Sequence, residues 1–418
     1  MDRLREEQTL DEVGHTVRGQ LARLGFSRGG EFLVKVGKSI DPLLETIHTA
    51  RGELRSLLVM ARAAEDSSRL RSINDRLIVV AGELFLATGS VPMVQELCST
   101  VRDAIAGRAL ELARRELYCA GSHCEAPLAL LAVGSAGRRE ELLFSDQDYL
   151  FVHGKGEIVS VEMGEEPDDY FARLGSTFAV KMAEAGIPKC SGGIMPANGS
   201  WRGSLQQWEE RLEQLLRFGR SDWEQDMVML IALMDIRFIC GERDLGTSLC
   251  ETVRSMVRDE PRAVGQMARV AGSMRLSRGF LRRFIVEAAG PHRGEFNLKV
   301  MAWMPLVMAV RLLAVHAGIG ETSTQARIEG LRGGMLTERM ASDLTEAYHL
   351  LTGLRLAQQN KVRKRIIDDP CYLNPHELPG EERERLRSAI GTVDELLAMI
   401  RSMFSLAASA DRIIDRSR

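Results

Sequence analysis

This sequence predicts a mostly helical α+β fold, in which a small mixed sheet is flanked by N-terminal helices and a C-terminal helical bundle. Three observations predict it. Apolar residues recur at helical spacing over most of the 418 positions, the pattern of helices that bury one stripe. Aromatics are scarce at 5% while Met, Leu, Ala and Arg are plentiful, a balance that favours helix over strand. Only near the middle do two apolar runs of strand length appear, Leu128 to Val133 and Tyr149 to Val152.

The length exceeds one ordinary core, so two or three domains are expected. The changes of pattern divide the chain into residues 1–120, 121–240 and 241–418. In the first part Leu43, Ile47, Leu54, Leu57 and Leu58 recur at helical spacing, as do Leu77, Val80, Leu84 and Leu86, then Val101, Ile105, Leu110 and Leu112. Gly89 and Pro92 predict a break between two of these helices. From Ala126 the two strand-length runs follow, then a loop rich in Gly, Glu and Asp over Gly154 to Asp169. A helix is predicted over Tyr170 to Ala185, and a strand with turns over Gly186 to Met195. Ser204 to Phe218 and Trp223 to Ile239 read as helices, and the chain from Leu249 onward is helical again, with Gly290-Pro291 and Asp369-Pro370 as boundaries.

Composition excludes several classes. Fifty-five basic residues against 58 acidic give a net charge of −3, which provides no global attraction to nucleic acid or an anionic membrane. The basic cluster Lys361, Arg363, Lys364 and Arg365 lacks neighbouring aromatics for base stacking, and nucleic acid is not the expected partner. Seven cysteines, at 98, 119, 124, 190, 240, 250 and 371, form no C-x-x-C pair and no zinc spacing, as expected of reduced thiols in a cytoplasm. The segment Met1-Asp2-Arg3-Leu4-Arg5-Glu6-Glu7 has no apolar core and does not read as a secretory signal. Pro305, Arg311 and His316 interrupt the apolar stretch Met301 to Ile319, whereas a membrane span needs about 20 mostly apolar residues. A soluble, cytoplasmic protein with no membrane partner is the expectation.

Chemistry concentrates in Gly134-Ser135-Ala136-Gly137-Arg138-Arg139-Glu140 and Ser145-Asp146-Gln147-Asp148. Residues i and i+2 of a strand face the same way, so Asp146 and Asp148 would project side by side toward one divalent cation or a pair. Mg²⁺ prefers one or two carboxylates together with substrate phosphates. Gly134 and Gly137 permit a turn against phosphate, whose N–H groups and the Ser135 hydroxyl can donate to phosphate oxygens. Arg138 and Arg139 could neutralise phosphate charge. Each piece alone has a plainer reading: a turn, a solvated acidic pair, a charged helix face with i, i+3 pairing. Together, between two strands and with eleven positions from Ser135 to Asp146, they are hard to attribute to chance.

G-S-A-G-R-R-E followed by S-D-Q-D resembles the signature of the nucleotidyltransferase superfamily that includes DNA polymerase β. Within it the chain is most similar to the group related to the PII uridylyltransferase, and more narrowly to bacterial nucleotidyltransferases of signal transduction with a helical C-terminal substrate-binding domain. Further resemblance lies in Cys190-Ser191-Gly192-Gly193-Ile194-Met195, Asn198, Trp201-Arg202-Gly203-Ser204 and Trp208, then Phe296-Asn297-Leu298-Lys299, Pro305, Arg311-Leu312-Leu313-Ala314, Ser323-Thr324 and Leu354-Arg355-Leu356 with Gln358. The likeness covers roughly residues 50 to 405.

The resemblance implies a uridylyl- or adenylyltransferase-like enzyme that uses Mg²⁺ or Mn²⁺. Asp146 and Asp148 would be its catalytic metal ligands, and Gly134, Ser135, Gly137, Arg138 and Arg139 its nucleotide-binding residues. Asn198, Trp201, Arg202 and Lys299 would bind substrate. The partners implied are a nucleoside triphosphate and an acceptor, either a PII-like protein or a small molecule, with a homodimer left open. The superfamily usually adds a third carboxylate, yet Ile187 to Met195 contains neither Asp nor Glu. Glu162, Asp168 and Asp169 are the candidates elsewhere, and Asn297 stands where relatives are acidic. Trp201-Arg202 could equally be a helix-start motif with Asn198 or Ser200 as cap. Arg275, Arg278 and Arg282 share one helical face and could receive a triphosphate or simply face solvent. A nucleotide-sensing module without turnover, or a helical scaffold with a vestigial α/β insert, is the alternative.

Overall fold

The computed structural model describes residues 29–156, 158–160, 167–218, 223–274 and 284–404. The described residues through Arg55 belong to one compact unit and Ser56–Arg418 to another, each taken by itself. Helix α1 runs Gly29–Ala63, followed by α2 (Ser67–Thr88) and α3 (Val91–Cys119). The break expected between the last two is built from capping chemistry. Gly89 closes α2 in the left-handed region at φ 65°, where only glycine avoids a Cβ penalty. The Ser90 hydroxyl then accepts the Met93 N–H at 3.4 Å to open α3, with Pro92 in its first turn.

The sheet follows. Short strands β1 (Ser122–Cys124) and β4 (Ile158–Ser160) pair antiparallel. The main mixed sheet has the order β5-β3-β2-β6, formed by β2 (Leu128–Ala132), β3 (Tyr149–His153), β5 (Arg202–Ser204) and β6 (Arg237–Gly241). β2 runs antiparallel to β3 and β6, while β3 and β5 are parallel. Every residue of β2 and β3 is buried. Both faces are therefore covered, which is why these strands read as unbroken apolar runs and not as alternation. On one face Tyr149 and Phe151 meet Phe178, at ring distances of 5.7 and 5.8 Å, and His153 stacks on Phe171 at 3.9 Å. Both phenylalanines belong to α4 (Pro167–Glu184). On the other face Ala129, Leu131, Leu150 and Val152 enter a core that continues without a gap into the C-terminal helices.

Those helices are α5 (Leu205–Leu215), α6 (Trp223–Leu233), α7 (Arg243–Arg258), α8 (Pro261–Ser273), α9 (Met304–His316), α10 (Thr324–Leu331), α11 (Glu338–Arg363) and α12 (Gly380–Met403). A π-helical segment, Lys299–Trp303, leads into α9, and the two-residue strands β7 (Phe296–Asn297) and β8 (Tyr372–Leu373) pair beside it. Lys299–His316 is long and apolar enough to cross a membrane by composition, yet 67% of it is buried within the chain. It is a core helix.

Two sequence expectations change. The helix predicted over Trp223 to Ile239 stops at Leu233, and Arg237–Gly241 becomes the edge strand β6. The β-branched and aromatic residues Ile236, Phe238 and Ile239 suit a pleated surface better than a helix. The strand expected within Gly186–Met195 is instead a loop that lends single hydrogen bonds to the head of β3: Pro188 O accepts Gln147 N–H at 3.0 Å and Ile194 O accepts Tyr149 N–H at 3.1 Å.

Candidate active site

The chain leaves β2 at Val133 and makes one helical turn, Gly134–Gly137. The Asp148 carbonyl accepts the Val133 N–H at 2.9 Å, which locks the head of β3 to the end of β2. Between the two acidic residues, Gln147 is fully buried and its amide donates to Ala179 O at 3.1 Å and Ile187 O at 2.8 Å. That anchor commits one face of the strand head and leaves the opposite face to Asp146 and Asp148. Asp146 is exposed and Asp148 half-buried. Gly134 lies directly against the second carboxylate. Its φ is +59°, and a Cβ built on it would stand 2.5 Å from Asp148 Oδ2. Glycine is required there both for the backbone and for the space.

Burial raises the Asp148 carboxyl to about 6, and the neighbouring Asp146 charge adds to this, against a hydrogen bond from Cys190 and the charges of Arg138 and Lys299. Asp148 Oδ1 is buried with no hydrogen-bond partner, a costly state for an ionised oxygen. A carboxylate pair with one unsatisfied buried oxygen and a raised proton affinity fits a divalent cation. Asp146 and Asp148 are the residues that would hold it. Among the described residues no group of three or more His, Cys, Asp or Glu converges as a metal site, so no third carboxylate joins the pair. Of the candidates, Asp168 lies 3.6 Å from Arg202 Nε, Asp169 is exposed in the first turn of α4, and Glu162 falls outside the described residues. The side chain that reaches Asp148 from the Gly186–Met195 loop is the Cys190 thiol, itself raised by burial and by Asp148.

The remaining nucleotide-binding expectations separate. Ser135 is half-buried in the turn beside Gly134. Arg139 is the accessible arginine: its side chain is 57% exposed, 4.0 Å from Asp103, on a backbone at φ +56°. Arg138 is not available to phosphate. It is 4% exposed, and its guanidinium meets Glu140 Oε2 at 2.7 Å and Asp235 Oδ2 at 2.5 Å, which hold its proton more tightly than usual despite burial. Gly137 likewise serves packing. A Cβ there would lie 2.0 Å from the Asp235 carbonyl oxygen, so the turn and the Asp235 backbone touch only because Gly137 has no side chain.

Of the expected substrate residues, Lys299 is near enough to lower Asp148 electrostatically. The others are engaged internally. Asn198 accepts Ser200 N–H at 3.1 Å as a cap, Trp201 is 5% exposed, and Arg202 donates to Pro196 O and Ala197 O at 3.3 and 3.1 Å. A tryptophan buried to that extent cannot stack on a ligand, so these three residues shape the loop before β5. Asn297 accepts Val300 N–H at 3.0 Å and caps the π-helical segment. Arg275, Arg278 and Arg282 fall outside the described residues.

Sequence reasoning missed the group that fastens this site. Asp235 is fully buried and accepts from Arg138, Arg311 (Nη2, 2.6 Å) and Arg327 (Nη1, 2.8 Å). Burial alone would raise its carboxyl, but Arg311, Arg138 and Arg327 together hold it far below the usual range. Glu140 completes the junction by accepting the Thr324 N–H at the start of α10. On the other side Arg102 of α3, 1% exposed, donates to Leu142 O and Leu143 O at 2.6 Å each. The available signal was a lone Asp235 within the apolar run Met227 to Ile236, and a lone Arg311 within Met301 to Ile319.

Two family models match consecutive parts of the chain. One, described as "Putative nucleotidyltransferase DUF294", covers residues 75–222, and the other, described as "Putative nucleotidyltransferase substrate binding domain", covers residues 261–404. Over 383 residues the chain is 26% identical to the bifunctional glutamine synthetase adenylyltransferase/adenylyl-removing enzyme of Cutibacterium acnes, a match that takes in 85% of this chain and 35% of that protein. The chain thus spans about a third of the length of this relative. The first match contains the Gly134 turn, Arg138 and both aspartates, and the second contains Lys299, Arg311 and Arg327. Residues 75–222 thus match a nucleotidyltransferase family and residues 261–404 the substrate-binding domain described with such transferases.

Proposed function

We infer that the protein transfers a nucleoside monophosphate from a nucleoside triphosphate to an acceptor hydroxyl, with Mg²⁺ or Mn²⁺ held by Asp146 and Asp148. The observation that carries this reading is the juxtaposition of Gly134 and Asp148: the turn approaches the carboxylate too closely for even a methyl group to fit between them, and the buried Oδ1 lacks a partner. In the reaction the acceptor oxygen bonds to the α-phosphorus, the bond to the bridging oxygen of the β-phosphate breaks, and pyrophosphate leaves. A bound divalent cation would polarise the α-phosphate and balance charge on the leaving group. The chain's own part is positioning. The opening N–H groups of the Gly134 turn and the Ser135 hydroxyl orient phosphate oxygens. Asp146, the more exposed carboxylate, shares the metal with Asp148 on the solvent side.

ATP is the first donor to test, because the Cutibacterium acnes relative is named for adenylyl transfer. A protein side chain is the first acceptor class to test, since the same name specifies a protein substrate. The unpaired state of all seven cysteines supports a reducing, cytoplasmic setting. A signalling role rests on the resemblance to transferases of signal transduction.

Calorimetric titration with ATP, UTP, GTP and CTP, with and without Mg²⁺, tests the site on wild type and on the Asp146→Asn/Asp148→Asn variant. Metal-dependent binding lost in the variant supports the reading. Transfer of label from the α-phosphate of the bound nucleotide then identifies the acceptor. Absence of binding for all four triphosphates refutes it. One observation favours a second reading, in which the domain senses a triphosphate without turnover: among the described residues no third carboxylate joins the pair. It predicts tight nucleotide binding with no pyrophosphate release under any metal or acceptor.

A further inference from the structure

Helix α11 presents one stripe toward the chemistry, through residues spaced three or four apart. Tyr348 accepts from the Gln95 amide at 2.8 Å and lies close enough to Glu140 to feel its charge. Thr352 accepts the Trp303 indole N–H at 3.0 Å. Gln359 exchanges two hydrogen bonds with the Phe144 backbone, each 3.3 Å, two residues before Asp146. Arg355 occupies the stripe between Thr352 and Gln359, and so faces the same loop.

Arg355 differs from the other arginines of this junction. Arg138, Arg311 and Arg327 each hold a carboxylate, whereas no carboxylate pairs with Arg355 among the described residues. It stacks on the Trp303 ring, 4.2 Å from the centroid, with Arg138 5.7 Å from the same ring. Burial, reinforced by the positive charge of Arg138, brings its guanidinium down to about 10. It remains charged and half-buried, and although Glu140 favours its charge from a distance, no carboxylate pairs with it among the described residues, a costly state for a cation. Lys299 stands one π-helical turn before Trp303 and influences both Asp148 and Cys371, and Cys371 also senses Arg355. Lys299 thus lies within electrostatic reach of Asp148 and Cys371, and Arg355 within reach of Cys371. Neither Lys299 nor Arg355 is neutralised by an ion pair among the described residues.

We propose that Arg355, braced on Trp303 and acting with Lys299, is the arginine that binds the polyphosphate tail of the nucleotide. This rests on the transferase reading above and deepens it. The helical substrate-binding domain would then complete the nucleotide site, in place of the Arg138 that the buried junction consumes. A triphosphate brings roughly four negative charges to two carboxylates, so cations must face it across the site. A guanidinium fixed by stacking loses little freedom when it grips phosphate oxygens with its fork.

The test is calorimetric titration of the full chain, with Mg²⁺, using inorganic tripolyphosphate, the nucleoside triphosphate that binds and its monophosphate. Wild type, Arg355→Gln, Arg355→Lys and Asp148→Asn are compared, with circular dichroism to show that each variant folds. Arg355→Gln should weaken tripolyphosphate and triphosphate about tenfold or more and leave the monophosphate nearly unchanged, with partial recovery in Arg355→Lys. Triphosphate affinity in Arg355→Gln equal to wild type, with Asp148→Asn still defective, overturns this assignment alone. An equal loss for mono- and triphosphate overturns it too. Failure of wild type to bind, or full binding by Asp148→Asn, overturns the transferase reading together with it.

Discussion

Asp235 and Arg138, fully buried and 4% exposed respectively, meet at 2.5 Å, and through that contact the Gly134 turn is bolted to the C-terminal bundle. The same carboxylate takes Arg311 of α9 and Arg327 of α10, so one acidic residue fixes the geometry of two halves of the site. A buried ion cluster of this kind adds little net stability over a well-packed apolar core, but losing one partner leaves charges stranded.

Asp235→Asn should therefore destabilise the chain by about 3–5 kcal/mol, since three guanidiniums lose their common counter-ion. Urea unfolding measures it. A change within about 0.5 kcal/mol, the usual span of neutral surface substitutions, would show that the junction carries no such strain.

Asp148→Asn should abolish metal-dependent binding and at the same time stabilise the metal-free protein at pH 8. The Asp148 carboxyl sits at about 6, above its ordinary 3.8, so its favourable contribution is complete below pH 3.8 and is lost as pH rises through 6. At pH 8 the ionised group costs on the order of 1–3 kcal/mol, which the amide avoids. Thermal melts should show a higher Tm for the metal-free variant, and a rise with added Mg²⁺ for wild type alone. Equal Mg²⁺ stabilisation of both proteins would count against the metal assignment.

The two glycines of the turn should fail differently. Gly134→Ala puts a methyl group 2.5 Å from Asp148 Oδ2 on a backbone at φ +59°, and should cost about 1–2 kcal/mol of stability with at least tenfold weaker Mg²⁺–nucleotide binding. Gly137→Ala places its methyl group 2.0 Å from the Asp235 carbonyl oxygen, and should act on folding first, by about 3 kcal/mol. Denaturation and calorimetry on both variants separate the roles. Similar profiles for the pair would contradict the distinction.

Glu141 gives a second pH signature, to which the nearby Asp148 charge also contributes. It is 1% exposed, and burial lifts its carboxyl to about 7 although Arg102 stands 3.7 Å away. Its ordinary value is 4.5, so the stability it contributes is present below pH 4.5 and is lost as pH rises through 7. Glu141→Gln should flatten the fall in unfolding free energy between pH 4.5 and 7.5 by roughly 3 kcal/mol. A pH profile unchanged from wild type would mean that Glu141 is ionised throughout.

The readable part of this protein was local. Helix stripes, the Gly89–Ser90 break and the two central strands follow from periodicity and capping, which neighbouring residues decide. The pairing of Asp146 with Asp148 follows from the two-residue period of a strand, and Gly134 beside them from turn chemistry. The misreadings share a cause. Arg138 looked like a phosphate ligand because its sequence neighbours are glycines and acids, and its partner Asp235 lies 97 positions away. Trp201 and Arg202 looked like substrate contacts because burial is not written in two adjacent letters. The end of the helix at Leu233 likewise depends on β6 finding an open edge on β2.

By itself, then, the sequence determined the fold class, the two central strands and a glycine turn near an acidic pair, because each is set by short-range backbone geometry and side-chain period. Only the tertiary structure decided which cations are held by a buried carboxylate. Arg138, Arg311 and Arg327 are paired with Asp235, whereas among the described residues no carboxylate pairs with Arg355 or Lys299, because ion pairing inside a core depends on which distant segments are packed together and shielded from water.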